Sequence, residues 1–272
     1  MKNTVIVFTK VPKAGETKTR LTTERDGILT QEEAKDLYEG CLLDVINACL
    51  AADCGDVRIC YNHGGDRVYL ESLLSRTAGR DQIKEVFCDE GGSFDQCMQF
   101  AVDYIFRDGS GRLADSLIIV GGDLPTLQPA IVREAFGKMV RLAATEAGRG
   151  AGRVKEAQIG ASLVEGACQE GGFSIIGYTY NTPFEFDQVF YNKEGITALD
   201  MALLKARDRG IPFGYVEMVA DVDIPVDLAG MIPSVRGIQL AACYDSEVML
   251  PVNTIRALDE IGLEATAPPP QR

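Results

Sequence analysis

A chain of 272 residues with 46% apolar side chains can bury a core in one large α/β domain or two small ones, and it does not have the composition of a disordered protein. Its 40 acidic against 27 basic residues give a formal net charge of -13, the wrong sign for a broad nucleic-acid surface or for docking on anionic membranes. No apolar run approaches the length of a membrane span, and the N-terminus enters a strand pattern without a signal peptide's apolar core and cleavage site, so a cytoplasmic protein is expected. Against the acidic background the opening residues stand out. Within Thr4 to Lys10, Val5 to Phe8 is an unbroken apolar run suited to a central parallel strand, and it leads into a loop, Val11 to Leu21, that carries Pro12, Gly15 and several cations. Lysine supplies a point charge and arginine a planar fork, so Lys10, Lys18 and Arg20 at the C-terminal end of such a strand suit phosphate, with Gly15 allowing close backbone approach. The alternative is a surface loop of solvated charges. A P-loop is excluded, because no glycine stands directly before Lys18-Thr19.

Thr30-Gln31-Glu32-Glu33 reads as a capping box opening a helix, with Leu37, Leu42, Val45, Ile46 and Leu50 at helical spacing and a stop near Asp53-Cys54-Gly55. Val57 to Tyr61 is a second strand, Asp66 to Thr77 a helix, Ile83 to Cys88 a third strand, and Met98 to Ile105 lies on a further amphipathic helix. Ser116 to Val120 is a fully apolar strand ending in Gly121-Gly122-Asp123-Leu124-Pro125. There the glycines let a ligand lie on the backbone, and Asp123 can help hold a magnesium ion that bridges phosphates, or can simply begin a turn before a helix at Pro129. Gly148 to Arg153 reads as a surface excursion within one domain. Gln158 to Val164 and Phe173 to Gly177 are expected strands around Glu170-Gly171-Gly172, and Thr182 to Phe186 is an expected loop over the site's mouth. A helix over Thr197 to Arg209 and a strand over Phe213 to Val219 lead to Asp221-Val222-Asp223-Ile224-Pro225-Val226-Asp227. In an extended segment Asp221 and Asp223 point the same way, while Pro225 and Asp227 suit a helix's first turn. Asp223 is the expected metal ligand, Asp221 and Asp227 structural. Strand and helix patterns without a motif fill Ser234 to Leu263, and residues 265–272 are an expected disordered tail.

The stretch Phe8 to Leu21, with Lys10, Pro12, Gly15, Lys18, Thr19, Arg20 and Leu21 in place, resembles the opening of a bacterial family labelled as glycosyltransferases and first defined as a domain of unknown function. That family is similar to phospholactate guanylyltransferases and molybdenum-cofactor nucleotidyltransferases within the nucleotide-diphospho-sugar transferase superfamily. Gly-x-Asp-x-Pro at Gly121 to Pro125, an Asp-Gly-Gly turn at Glu170 to Gly172 and the final aspartate cluster follow in the family's order. The sequence departs from the pattern in Glu170 and in the helix at Phe94 to Met98, where Asp95 and Cys97 replace a glycine and an arginine; no function is carried over to that helix. The resemblance implies a single-domain GT-A fold over residues 1–232, a mixed and mostly parallel sheet flanked by helices, with a C-terminal extension over residues 233–264 packed on it.

The same resemblance implies a transferase that uses Mg2+ or Mn2+ held by Asp123 and Asp223, binds nucleotide through Lys10, Pro12, Gly15, Lys18, Arg20, Gly121 and Gly122, and meets a small-molecule acceptor near Glu170, Gly171 and Gly172. Lys18 and Arg20 are the expected catalytic groups, stabilising the departing phosphates. Nucleotidyl transfer from a nucleoside triphosphate is favoured, since a leaving pyrophosphate needs such a basic loop. The alternatives are glycosyl transfer from a nucleotide-sugar and a regulator that binds nucleotide without turnover. Nothing in the sequence sets an oligomeric state. The eight cysteines form no C-x-x-C pair and read as reduced thiols rather than a zinc site or disulfides, and His63, the only histidine, reads as a surface residue in a turn.

Overall fold

A computed structural model describes residues 1–107 and 109–264 of the chain. Strands β1 (Asn3–Thr9), β2 (Asp56–Tyr61), β3 (Ile83–Cys88), β4 (Ser116–Gly121), β5 (Leu163–Ala167), β6 (Phe173–Thr179) and β7 (Phe213–Val216) form one seven-stranded sheet in the order β3-β2-β1-β4-β6-β5-β7. The β1–β2, β1–β4, β2–β3 and β5–β7 pairs are parallel; β6 runs antiparallel to both β4 and β5. A mostly parallel sheet needs helical cover on both faces, and the alternation along β1 supplies it. Val5 and Val7 bury against α1 (Gln31–Ala51), α2 (Arg67–Leu74) and α4 (Pro129–Ala143), whereas Ile6 buries on the opposite face with α3 (Phe94–Ile105) and α6 (Ala198–Asp208).

A third, smaller core decides where the site lies. Leu21 and Leu29 from the segment after β1, Leu37 and Cys41 from α1, and Val222, Leu228 and Met231 from the far end of the chain bury together with Leu258. Each such side chain contributes about 1.5–3 kcal/mol of burial. The cluster thereby ties the basic loop to the last aspartate segment across some two hundred residues of sequence. Helices α7 (Pro225–Ala241) and α8 (Val252–Ile261) belong to it. Asp44 on α1 accepts hydrogen bonds from the Asn253 and Thr254 amides at 3.1 and 2.7 Å, which satisfies the open N-terminus of α8. At Gly40 an added Cβ would stand 2.8 Å from the Asn253 carbonyl oxygen, so only glycine permits this approach of α1 to α8.

Thr30 and Glu33 form the reciprocal capping box at the start of α1, as their spacing dictates. Four expectations are corrected. The glycine-rich segment read as a surface excursion contains a helix, α5 (Glu146–Ala151), capped by Thr145; its Gly148 is buried, and a Cβ there would come 2.4 Å from the Leu142 carbonyl oxygen. The strand expected from Gln158 begins only at Leu163, because Ala161 spends its amide on the Gly148 carbonyl and Gly160 is pressed against Ala143. Thr182 to Phe186 does not stand over the mouth: Phe184 and Phe186 are buried in the α3/α6 core around Tyr178. Beyond residue 233 there is no strand among the described residues, where α7 runs on unbroken through Pro233. The expected tail, residues 265–272, lies outside the described residues. No helix among those described is long and apolar enough to cross a membrane.

Candidate active site

The C-terminal ends of β1 and β4 open on a cleft of about 690 Å³, lined by the basic loop on one side, Gly121, Gly122 and Asp123 below, Asp223 at one end, and His63, Asp89 and the start of α3 at the other. This is the crevice where open α/β sheets bind ligands. The loop is held by its own backbone: the Glu16 and Thr17 amides donate to the Lys13 carbonyl at 3.1 and 3.0 Å, and the Lys13 amide donates to Thr17 Oγ1 at 2.9 Å. Gly15 has φ 76° at this turn, a left-handed conformation that favours glycine. Lys18 itself adopts φ 51°, a left-handed conformation costing about 1–2 kcal/mol, just before the short 3-10 turn Thr19–Leu21.

Lys18 thereby reaches down into the cleft. Its Nζ lies 2.5 Å from Asp123 Oδ2 and 3.4 Å from Asp223 Oδ1, and Arg20 Nη1 lies 2.7 Å from Asp223 Oδ2. Burial works against the Lys18 charge, but Asp123 above all, with Asp223, more than offsets it and holds the ammonium above the usual lysine range. The Lys18 Nζ also stands 5.6 Å from the Tyr38 ring centroid. Tyr38 hydrogen-bonds Thr9 Oγ1 at 2.6 Å under Gly122, where a Cβ would come 2.9 Å from its hydroxyl oxygen. Burial, with Asp123 adding, pushes the Tyr38 phenol up to about 12, which keeps it neutral.

On the opposite wall Asp227 Oδ2 accepts from the Asp223 and Ile224 amides at 2.9 and 2.8 Å, closing the N-terminus of α7 and fixing the backbone that presents Asp223. Gln169 Oε1 accepts from the Asp221 amide at 3.2 Å, steadying the same segment. Burial, then the repulsion of Asp123, Asp227 and Asp223, pushes the Asp221 carboxyl up to about 6 despite Lys18. Asp123 and Asp223 flank the Lys18 ammonium, so the cleft end holds two carboxylates around one cation. Oxygen donors from Asp123 and Asp223 fit Mg2+ or Mn2+.

The structure thus brings together Lys10, Lys18, Arg20, Gly121, Gly122, Asp123 and Asp223 along one cleft. Pro12 and Gly15 shape the loop but do not line it. Glu170, Gly171 and Gly172 are also outside the lining; Glu170 is exposed at φ 59°, and Gly171 packs on Thr197. Residues without a motif complete the cleft. Phe94 at the start of α3 meets Phe8 edge-on at 5.7 Å and Phe190 at 4.4 Å between ring centroids, forming an apolar wall continued by Phe173. Phe190 is held there by Asp95, one of the two departures on α3, whose Oδ1 accepts from the Val189 and Phe190 amides at 3.1 and 3.0 Å. Only the departure itself pointed to Asp95. Removing this buried, charged acceptor in Asp95→Ala should cost about 2–4 kcal/mol, read as a lowered urea midpoint; an unchanged midpoint would deny it this role.

The fold is that of the nucleotide-diphospho-sugar transferases, as the solved structures similar to it show. A "putative nucleotide-diphospho-sugar transferase" from Desulfovibrio desulfuricans G20 superposes with TM-score 0.70 at 19% identity, over 96% of this chain and 97% of that one. A cytidylyltransferase from Leptospira borgpetersenii matches with TM-score 0.51 at 11% identity over 96% of this chain and 94% of its own, and a nucleotidyl transferase from Methanothermobacter with TM-score 0.51 at 12% identity over 86% and 98%. The chain belongs to the family of uncharacterized proteins conserved in bacteria DUF2064, whose match spans residues 45–193. No curated protein matches it.

Proposed function

We propose that the protein is a metal-dependent transferase that moves a nucleotidyl group from a nucleoside triphosphate to a small phosphorylated acceptor. The observation that carries this reading is the meeting of Lys18 and Arg20 with Asp123 and Asp223 at one end of a cleft that is also lined by glycine backbone and phenylalanine rings. Anionic groups of a triphosphate suit the cations, and the aromatic wall suits a base or the apolar part of an acceptor. The neighbours named as a cytidylyltransferase and a nucleotidyl transferase carry such chemistry on the same fold, which supports the reading without deciding it.

In this reaction an acceptor phosphate oxygen attacks the α-phosphorus, and the bond from that phosphorus to the bridging oxygen breaks, releasing pyrophosphate. A Mg2+ or Mn2+ ion held by Asp123 and Asp223 would supply neutralising charge to the phosphates. Lys18 exchanges its carboxylate partners for phosphate oxygens when the nucleotide enters, and Arg20, whose side chain is 59% exposed, swings to the departing pyrophosphate. Tyr38 and Thr9 brace the Gly122 backbone against which the nucleotide lies. No histidine is needed for the attack, because a phosphorylated acceptor arrives ionised.

Incubation of the purified protein with each nucleoside triphosphate, a panel of phosphorylated acceptors and Mg2+ or Mn2+ should release pyrophosphate with one combination. Release of nucleoside diphosphate from a nucleotide-sugar instead would assign glycosyl transfer, and tight metal-dependent nucleotide binding with no product would make the protein a regulator.

A further inference from the structure

The other end of the cleft carries a second group of ligating side chains that the transfer chemistry does not use. A nitrogen of His63, a carboxylate oxygen of Asp89 and Cys97 Sγ all lie within 4.8 Å of one another. We propose that these three residues form a binding site for a thiophilic divalent cation of the zinc class, separate from the Asp123–Asp223 pair and independent of the transferase reading.

Three structural elements converge to build it. His63 sits in the turn after β2, Asp89 directly follows β3, and Cys97 is on the first turn of α3. The turn is fixed to the strand end because the His63 backbone amide donates to Asp89 Oδ1 at 2.7 Å, which also aims the ring at the carboxylate. His63 Nδ1 then stands 3.3 Å from Asp89 Oδ1. Nitrogen and oxygen ligands about 2.0–2.1 Å from a common tetrahedral centre stand about 3.3–3.4 Å apart, so the two groups, now joined by a long hydrogen bond, are already spaced to share a zinc ion. A thiolate at about 2.3 Å from the same centre would stand about 3.6 Å from the other two donors, inside the 4.8 Å within which Cys97 Sγ already lies.

The donor set decides the class of metal. One imidazole, one carboxylate and one sulfur disfavour Mg2+, which takes oxygen, and favour Zn2+. Asp89 and Cys97 are buried at the cleft wall, while the His63 side chain is 65% exposed and can adjust to the ion. Three protein ligands leave a fourth tetrahedral position, and since all three line the cleft that position faces its interior. An anionic oxygen of a ligand in the cleft, carboxylate or phosphate, is the group such a position takes.

The test uses the metal alone. Metal-free full-length protein titrated with Co2+ should develop a thiolate-to-cobalt charge-transfer band that saturates at one equivalent and is abolished by added Zn2+. In Cys97→Ser the band should vanish, and in His63→Ala, which alters an exposed turn and leaves the fold intact, Co2+ affinity should fall at least about tenfold. The double variant Asp123→Asn/Asp223→Asn should keep the band, and Cys88→Ser should keep it too, which separates this site from the carboxylate pair and from the neighbouring thiol. No charge-transfer band in the folded wild type, or an undiminished band in Cys97→Ser, overturns the proposal.

Discussion

Asp123→Asn should lower metal-dependent turnover by at least about 10³-fold, equivalent to about 4 kcal/mol of transition-state stabilisation, while the protein remains folded. Asparagine keeps the shape of the side chain beside Gly121 and can still accept a hydrogen bond, so the loss isolates the charge. In the wild type the Asp123 carboxylate holds the Lys18 ammonium at 2.5 Å, and with the amide in its place Lys18 is left to Asp223, 3.4 Å away. The site then loses the counter-charge that positions the lysine and one of the two carboxylates of the proposed metal site. Asp223→Asn should cost a similar factor and also free Arg20 from its 2.7 Å contact. Circular dichroism and a thermal melt establish folding, and initial rates with saturating Mg2+ establish the loss. An Asp123→Asn protein within tenfold of wild type would remove this residue from the chemistry.

The second large effect concerns stability. Glu165 lies in the middle of β5 between β6 and β7, fully buried, with no hydrogen-bond partner for either carboxyl oxygen among the described residues. Burial alone pushes its carboxyl from the ordinary 4.5 up to about 8. Between those two values the folded protein holds a proton that the unfolded chain has released, so the stabilising contribution is fully present below about 4.5, declines through that window, and is gone above about 8. The slope from this one group is up to about 1.4 kcal/mol per pH unit. Glu165→Met, which fills the space without a polar atom, should raise the urea midpoint little near pH 5 and strongly near pH 8. Glu165→Gln should flatten the same pH dependence, although its amide is left equally without a partner. Parallel pH profiles for wild type and both variants would mean that Glu165 does not carry the buried proton.

How far the sequence discloses the fold differs from element to element, and the differences are physical. The capping box at Thr30 and the apolar runs of β1, β2 and β4 are local patterns, so α1 and the parallel half of the sheet are placed correctly by spacing alone. In the antiparallel half the pattern is overridden by packing. Gly148 looks like a linker residue and Gly160 like part of a strand, but both are where two backbones touch, and the start of β5 yields to the contact of Ala161 with α5. Phe184 and Phe186 sit in a proline-containing segment that reads as a loop, yet their rings complete a core supplied by α3 and α6.

The charged end of the cleft is legible because Lys18, Arg20, Asp123 and Asp223 each belong to a motif beside a strand or helix end; the structure shows what the motifs omit, the buried cluster shared by Leu21, Val222 and Leu228 that draws the first and last of them together. The aromatic wall and the Tyr38–Thr9 bond were not legible. They depend on which face of α1 and α3 meets the sheet edge, and no local pattern specifies that. His63 and Cys97 likewise look unremarkable in isolation, and only the parallel order β1-β2-β3 sets the ends of β2 and β3 side by side.

A crystal structure with Mn2+ and a non-hydrolysable nucleoside triphosphate, phased at the manganese edge, tests the proposed polyphosphate clasp most directly. The expected result is an anomalous peak in contact with Asp123 and Asp223, with phosphate oxygens drawn to Lys18 and Arg20 and the base toward the Phe94–Phe190 wall. A nucleotide bound elsewhere, or bound in this cleft with the Lys18–Asp123 pair intact and no metal at the two carboxylates, would contradict it.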